Sequence, residues 1–206
     1  MADQLLTGTT LVESSSRSDG DIQVGGIIEF DDTYKNIPDG FLACDGSTVN
    51  DPLSVYNGLA VPNLNTNYIT IHGGGFNTAN NSDGISRETN DIGTAFFAGT
   101  IDIQTLIQIP EGATITACKV YGGSTGSTAA WNLYKKVLSD TAIGGNVTSM
   151  ATAVLGTTDT TITSATIDNI LNSYLIHVNG QGNAEVWVTG AKVTYEPRFK
   201  FIIRIR

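Results

Sequence analysis

Residues 113–137 read ATITACKVYGGSTGSTAAWNLYKKV. Two readings compete for this stretch, and they lead to different proteins. In one, Ser124 sits in a G-x-S-x-G elbow of the α/β-hydrolase kind, which requires a strand, a sharp turn and then a helix. In the other, two strands flank a polar loop. The spacing of apolar residues favours the second. Ile115, Ala117, Lys119 and Tyr121 alternate with Thr114, Thr116, Cys118 and Val120, and beyond the loop Trp131, Leu133, Lys135 and Val137 share a face. A period of two is a strand signal, and it resumes directly after Ser124 where a helix should begin. Other hydrolase pieces occur in order, with H-G-G-G at 72–75 before Ser124, then Asp168 and His177. No strand–helix–strand alternation frames them, and a chain with 23 glycines produces G-x-S-x-G readily. No catalytic residue is assigned, and no enzymatic activity is expected.

The same period recurs on both sides. "AFFAGTIDIQTLIQIP" puts Ile101, Ile103 and Thr105 on one face; "SYLIHVNG" and "AEVWVTGAKVTYE" are two further strands joined by "NGQGN". Short strands about ten residues apart with turns between them predict an antiparallel β-sandwich, jelly-roll-like, over residues 99–206. Trp187 falls in the pattern of a core strand there. Residues 25–98 are richer in loops, and residues 1–24, with "ESSSRSDGD", read as a polar arm that orders against a partner. The fold class is mainly β. "ATIDNILNSY" holds one helical turn or two.

Composition narrows the functions. A net charge of −9 over 206 residues argues against nucleic acid, since phosphate binding needs a clustered excess of Lys and Arg. The one basic cluster is "RFKFIIRIR" at 198–206, an apolar and basic strand that needs covering. No apolar run approaches a membrane span, and "MADQLLTGTT" does not read as a secretion signal, so the expectation is folding in a cytosol without membrane insertion. Cys44 and Cys118 belong to no metal or redox spacing, and their pairing stays open. His72 and His177 are the only histidines, too few for a His-based metal centre, and Cys44 has no base near it in sequence. The acidic and amide residues at 31–32 and 80–84 suit solvated turns better than a calcium loop. No metal and no cofactor is expected.

Residues 37–50, IPDGFLACDGSTVN, read as a knot of turns: Pro38 fixes φ, Gly40 permits reversal, Phe41 and Leu42 anchor it, and Asp45-Gly46 closes a second turn around a small buried Cys44. Together with "VGGIIEF" before and "YNGLAVPNLNTNYI" after, this resembles the phage tail collar domain over residues 24–85. Gly26 and Ile28 match that family's opening. Pro38, Gly40 and Phe41 match its proline–glycine–aromatic element, with phenylalanine where tryptophan is common. Cys44, Asp45 and Gly46 match its Cys-Asp-Gly core. Tyr56, Pro62 and Leu64 match its end, with Asn63 where aspartate is usual.

The resemblance implies a structural protein of the virion, a tail fibre or collar-type appendage that assembles as a homotrimer, contacts other tail or capsid proteins and adheres to a host surface. A capsid decoration protein or head fibre is the alternative, and a bacterial carbohydrate-binding or filament protein is a third. For a host glycan, the candidate contacts are Trp131 and Tyr134, beside the loops "GGSTGST" and "NGQGN".

Overall fold

The computed structural model describes residues 22–31, 37–78, 88–89, 95–97, 101–126, 128–139, 146–180 and 185–206. They form two units. One comprises residues up to Asn67 together with Glu196–Arg206, and the other Tyr68–Tyr195. The chain is mainly β throughout, and the paired strands whose register is fixed run antiparallel.

The first unit holds β1 (Ile27–Asp31), β2 (Phe41–Ala43) and the chain's last strand, Phe199–Arg204, which lies between them. Ile27 pairs with Ile203 on one side of that strand, and Leu42 with Ile203 on the other. Both edges of the middle strand are thereby paired, and its successive residues point to opposite faces. Ile202 and Ile203 are 0% and 2% exposed. Cys44, Val49, Val61, Ile203 and Ile205 form the core, with Ile27, Leu42, Tyr56, Leu64 and Phe201 packed against it.

The knot of turns is built as its residues dictate. Gly40 and Gly46 have φ of 82° and 84°, where a side chain is strained. Asp45 Oδ1 accepts the Ser47 N–H at 2.9 Å, and the Phe41 N–H donates to the Pro38 carbonyl at 3.1 Å. Buried Asn65 extends the sheet with its side chain: Nδ2 donates to the Phe201 carbonyl at 3.0 Å and Oδ1 accepts the Phe201 N–H at 2.6 Å.

The second unit is a β-sandwich. In chain order its strands are β3 (Asn67–His72), β4 (Asn77–Thr78), β5 (Glu88–Thr89), β6 (Ala95–Phe97), β7 (Ile101–Ile107), β8 (Thr114–Ser124), β9 (Ala130–Val137), β10 (Val147–Val154), β11 (Thr158–Asp159), β12 (Asn172–Gly180) and β13 (Val186–Glu196); β14 is Phe199–Arg204 of the first unit. One sheet runs β10-β9-β12-β7-β4. The other runs β11-β8-β13-β6-β5, with β3 also paired to β13. Their facing residues make one core, including Ile103, Trp131, Leu133, Tyr174, Ile176, Val178, Ile115, Cys118, Val120, Val188 and Val193. The outer edge of β10 is blocked. Asp159 Oδ2 accepts the Thr152 N–H at 3.1 Å, and the Thr163 N–H donates to the Met150 carbonyl at 2.8 Å.

Several expectations change. The division falls after Asn67 and again after Tyr195, not near residue 98, because β14 pairs with β1 and β2 and because β3 and β4 join the sandwich. Of the polar arm, residues 1–21 lie outside the described residues. The alternation in β8 slips by one between Ile115 and Cys118, both buried, so Cys118 and Val120 share the core with Ile115. In β13 it is Val186 and Val188 that face inward; Trp187 faces outward, half-buried, with its ring against Gly123, where an added Cβ would come within 2.6 Å. "ATIDNILNSY" makes a single turn closed by the Asn172 N–H on the Asp168 carbonyl at 3.0 Å.

Removing the Asn65 amide leaves the part-buried Phe201 N–H without its partner, while the Phe201 carbonyl keeps the Cys44 N–H at 2.8 Å. Asn65→Ala is expected to destabilise the first unit by about 1–3 kcal/mol. Urea unfolding followed by a signal specific to that unit checks this.

Candidate functional site

The outer face of the five-stranded sheet carries the densest group of outward polar and aromatic side chains. Its layout follows from alternation and register. Trp131 and Leu133 point into the core, so Asn132 and Tyr134 point out; by the same rule Leu175, His177 and Asn179 on β12 and Asp102, Gln104 and Leu106 on β7 point out. Antiparallel pairing lines these up in rows. Tyr134 stands opposite Leu175 and Leu175 opposite Leu106; Asn132 stands opposite His177, and His177 opposite Gln104.

Within this array the Tyr134 and His177 rings pack with centroids 5.9 Å apart at 58°. His177 Nε2 lies 3.6 Å from Asp102 Oδ1, and its Nδ1 is buried without a hydrogen-bond partner in the protein. Burial pushes the imidazole below its ordinary value of 6.5 and outweighs the opposing pull of the Asp102 carboxylate. His177 is therefore neutral at pH 7, and its contact with Asp102 is not an ion pair there.

Where β7 and β12 end, Leu106, Gln108, Asn169, Asn172, Ser173 and Tyr174 line a cleft of about 400 Å³. The turn beside it is tightly held. Asp168 Oδ1 accepts the Ile170 and Leu171 N–H groups at 3.1 and 3.0 Å, Glu111 Oε2 accepts the Asn169 N–H at 2.6 Å, and the Tyr174 hydroxyl accepts the Asp168 N–H at 2.8 Å.

The two residues expected to contact a glycan fall on opposite sides of the sheet. Tyr134 belongs to the outer face. Trp131 does not: it is fully buried, its Nε1–H donates to the Thr157 carbonyl at 3.2 Å, and it is a core residue. Of the loop expected at 122–128, Gly122, Gly123 and Ser124 belong to β8, which ends at Ser124, and Ser124 Oγ accepts the Ala129 N–H at 3.2 Å. His72 caps the short 3₁₀ turn Gly73–Gly75, its Nδ1 accepting the Gly74 N–H at 3.4 Å. Of "NGQGN", residues 181–183 lie outside the described residues, as do residues 32 and 80–84. Among the described residues no group of three or more His, Cys, Asp and Glu is placed to hold a metal.

The collar-type residues gather in the first unit. Cys44 is buried, its amide donates to the Phe201 carbonyl at 2.8 Å and its carbonyl accepts the Leu64 N–H at 2.8 Å. Gly26 accepts from the Arg204 N–H at 2.9 Å, Phe41 is 8% exposed, and Pro62 is half-buried. Cys44 and Cys118 are both free thiols, each in the core of its own unit. Burial first, then a neighbouring carboxylate, pushes them up to about 11 and about 12.

No family model matches the chain, and no curated protein matches it. Solved structures do show similarity. The CBM36-1 domain of a multidomain xylanase from the hindgut metagenome of Trinervitermes trinervoides aligns at 11% identity and a TM-score of 0.38, covering 62% of this chain and 96% of that one. The xylan-binding module CBM15 aligns at 15% identity and a TM-score of 0.34, covering 63% and 96%. The glycosylation-associated protein Gap123 complex from Streptococcus agalactiae aligns at 8% identity and a TM-score of 0.40, covering 66% of this chain and 26% of that one. Likeness of this size leaves the reading of the site to its own residues.

Two measurements test the electrostatics. Because the folded imidazole of His177 binds its proton more weakly than the unfolded one, the unfolded state holds more protons as pH falls below 6.5, and stability declines there. NMR titration should place His177 below 6.5, and the acid-side loss in melting temperature should be smaller in His177→Gln. Thiolates so disfavoured react slowly. At pH 8 a thiol reagent should leave the native protein unmodified while titrating 2 cysteines in the urea-unfolded chain.

Proposed function

We propose that this chain is a non-catalytic adhesion protein of a bacteriophage virion, a homotrimeric tail-fibre or collar-type appendage whose sandwich binds a glycan of the host surface. The observation that carries the glycan half is the outer face of the five-stranded sheet. Tyr134, packed on neutral His177, offers a flat apolar ring to the hydrogen-bearing face of a sugar. Asn132 and Gln104 flank His177 by register and Asp102 lies 3.6 Å from it, donors and acceptors for hydroxyl groups on one side of the ring, while Leu175 and Leu106 share the row of Tyr134 and lead to the cleft. An aromatic platform with polar groups beside it gives area and direction together.

The virion half is supported by the resemblance of residues 24–85 to the tail collar domain. Its trimer is supported by the same resemblance and by the exposed Leu53 and Val55, 78% and 79% accessible, beside a Ser54 whose hydroxyl is tied to the Ile205 carbonyl at 2.5 Å. A held turn that displays large aliphatic side chains suits a contact between subunits.

Calorimetric titration against a panel of bacterial and plant oligosaccharides tests the glycan half. Tyr134→Ala is expected to weaken the best ligand at least tenfold, about 1.4 kcal/mol, with an unchanged circular dichroism spectrum. Equal affinity in the variant would remove Tyr134 from the site. Sedimentation equilibrium should return three times the chain mass of 21.7 kDa, and a concentration-independent monomer would overturn the trimer.

A further inference from the structure

We propose that the cleft at the ends of β7 and β12 is the subsite that selects the sugar, and that it takes a neutral, donor-bearing unit, a hexose or N-acetylhexosamine, and rejects uronic and sialic acids. The inference rests on the glycan-binding reading of the same face.

The argument starts from how the amides are fixed. Asn169 Nδ2 donates to the Ile109 carbonyl at 2.7 Å, and Asn172 Nδ2 to the Asp168 carbonyl at 3.2 Å. Each bond engages one N–H of the amide and so sets its orientation, and among the described residues no hydrogen bond reaches either Oδ1. Fixed acceptors want a ligand that brings O–H or N–H groups. The Ser173 hydroxyl and the Gln108 amide adapt to either partner, and Leu106, 74% exposed, adds an apolar wall for a sugar ring or an acetamido methyl. A volume of about 400 Å³ suits one or two sugar units.

Charge gives the selectivity. None of the lining residues is charged. The two ionisable groups that hold the adjoining turn, Glu111 and Asp168, are both acids. A carboxylate brought into the cleft would leave water for a lining that holds no cation, beside a turn held by two anions, an unfavourable exchange. The nearest cations by register are Lys135 and Lys136 on β9, opposite Tyr174 and Ser173 on the side of β12 away from β7. An acidic sugar could be held only through them, which makes the two readings separable.

The whole chain, labelled with ¹⁵N, is titrated with chito- and cello-oligosaccharides and with oligogalacturonate. The expected result is that a neutral oligosaccharide shifts the amide signals of 106–108 and 169–174 while oligogalacturonate shifts none. Leu106→Trp, which fills the cleft from an exposed position, should weaken the neutral ligand at least tenfold, and Lys136→Gln should change it less than twofold. Shifts confined to Tyr134 and His177, or oligogalacturonate binding that Lys136→Gln abolishes, would overturn the cleft assignment and leave the glycan reading standing. If no sugar of either kind shifts any signal of the sandwich, both fall together.

Discussion

The first unit depends on one pairing: β14 returning from the far end of the sequence to lie between β1 and β2. Without it β1 and β2 have no common partner, and the buried Cys44, Val49 and Val61 lose Ile203 and Ile205, which share their core. The local turns are adapted to that return. Cys44 and Asn65 both reach the Phe201 backbone, the Ile205 N–H donates to the Gly40 carbonyl at 2.8 Å, and Arg206 pairs with Asp39 and, at 3.5 Å, with Asp51. Even the absence of a side chain at Gly40 is set by it, since a Cβ there would come within 3.2 Å of the Arg206 carbonyl oxygen. The sandwich is thus an insertion between two parts of a smaller unit, whose pairing closes a loop longer than the sandwich itself. Closing so long a loop carries an entropic cost that the pairing must offset.

That closure explains where sequence reading succeeded and where it stopped. Alternation is a local property, so the strands around residues 101–107, 130–137 and 172–180 were legible. The partner of a strand is not local. "KFIIRIR" carries no mark that says whether it closes the sandwich or returns to β1, and only the pairing moves the boundary from residue 98 to Asn67. The slip in β8 is a failure of another kind: one extra residue between Ile115 and Cys118 reverses the face of everything after it, and nothing in "ATITACKV" announces it.

The site was half legible for a related reason. Trp131 and Tyr134 are three apart in one strand, so they must point to opposite faces, and Trp131 shares its face with Leu133; the alternation already placed it in the core. Tyr134 then falls on the outer face. What the sequence could not supply is the company it keeps. Asp102, Gln104, Asn132 and His177 come from three strands, and their meeting depends on the registers that set His177 opposite Asn132 on one side and opposite Gln104 on the other. The cleft residues were hidden in a segment that reads as turn or short helix, where Asn169 and Asn172 look like ordinary turn formers.

The same architecture accounts for why a face, and not an edge, is the surface on offer. An open strand edge invites another chain through its backbone. At β10 that route is closed by Asp159 and Thr163, which occupy the Thr152 N–H and the Met150 carbonyl, and by the irregularity between Ser149 and Ala151. Asp159 is itself held by the Thr161 N–H and hydroxyl at 2.7 and 2.6 Å, so the block does not swing away. With that edge occupied, what the sheet presents at β10 is its outer face. Side chains can discriminate among ligands, whereas a bare edge accepts any extended chain. Along the rows across β9, β12 and β7, Tyr134 packs beside His177 on one face, while Trp131, Leu133, Tyr174, Ile176 and Ile103 of the same strands point the other way into the core.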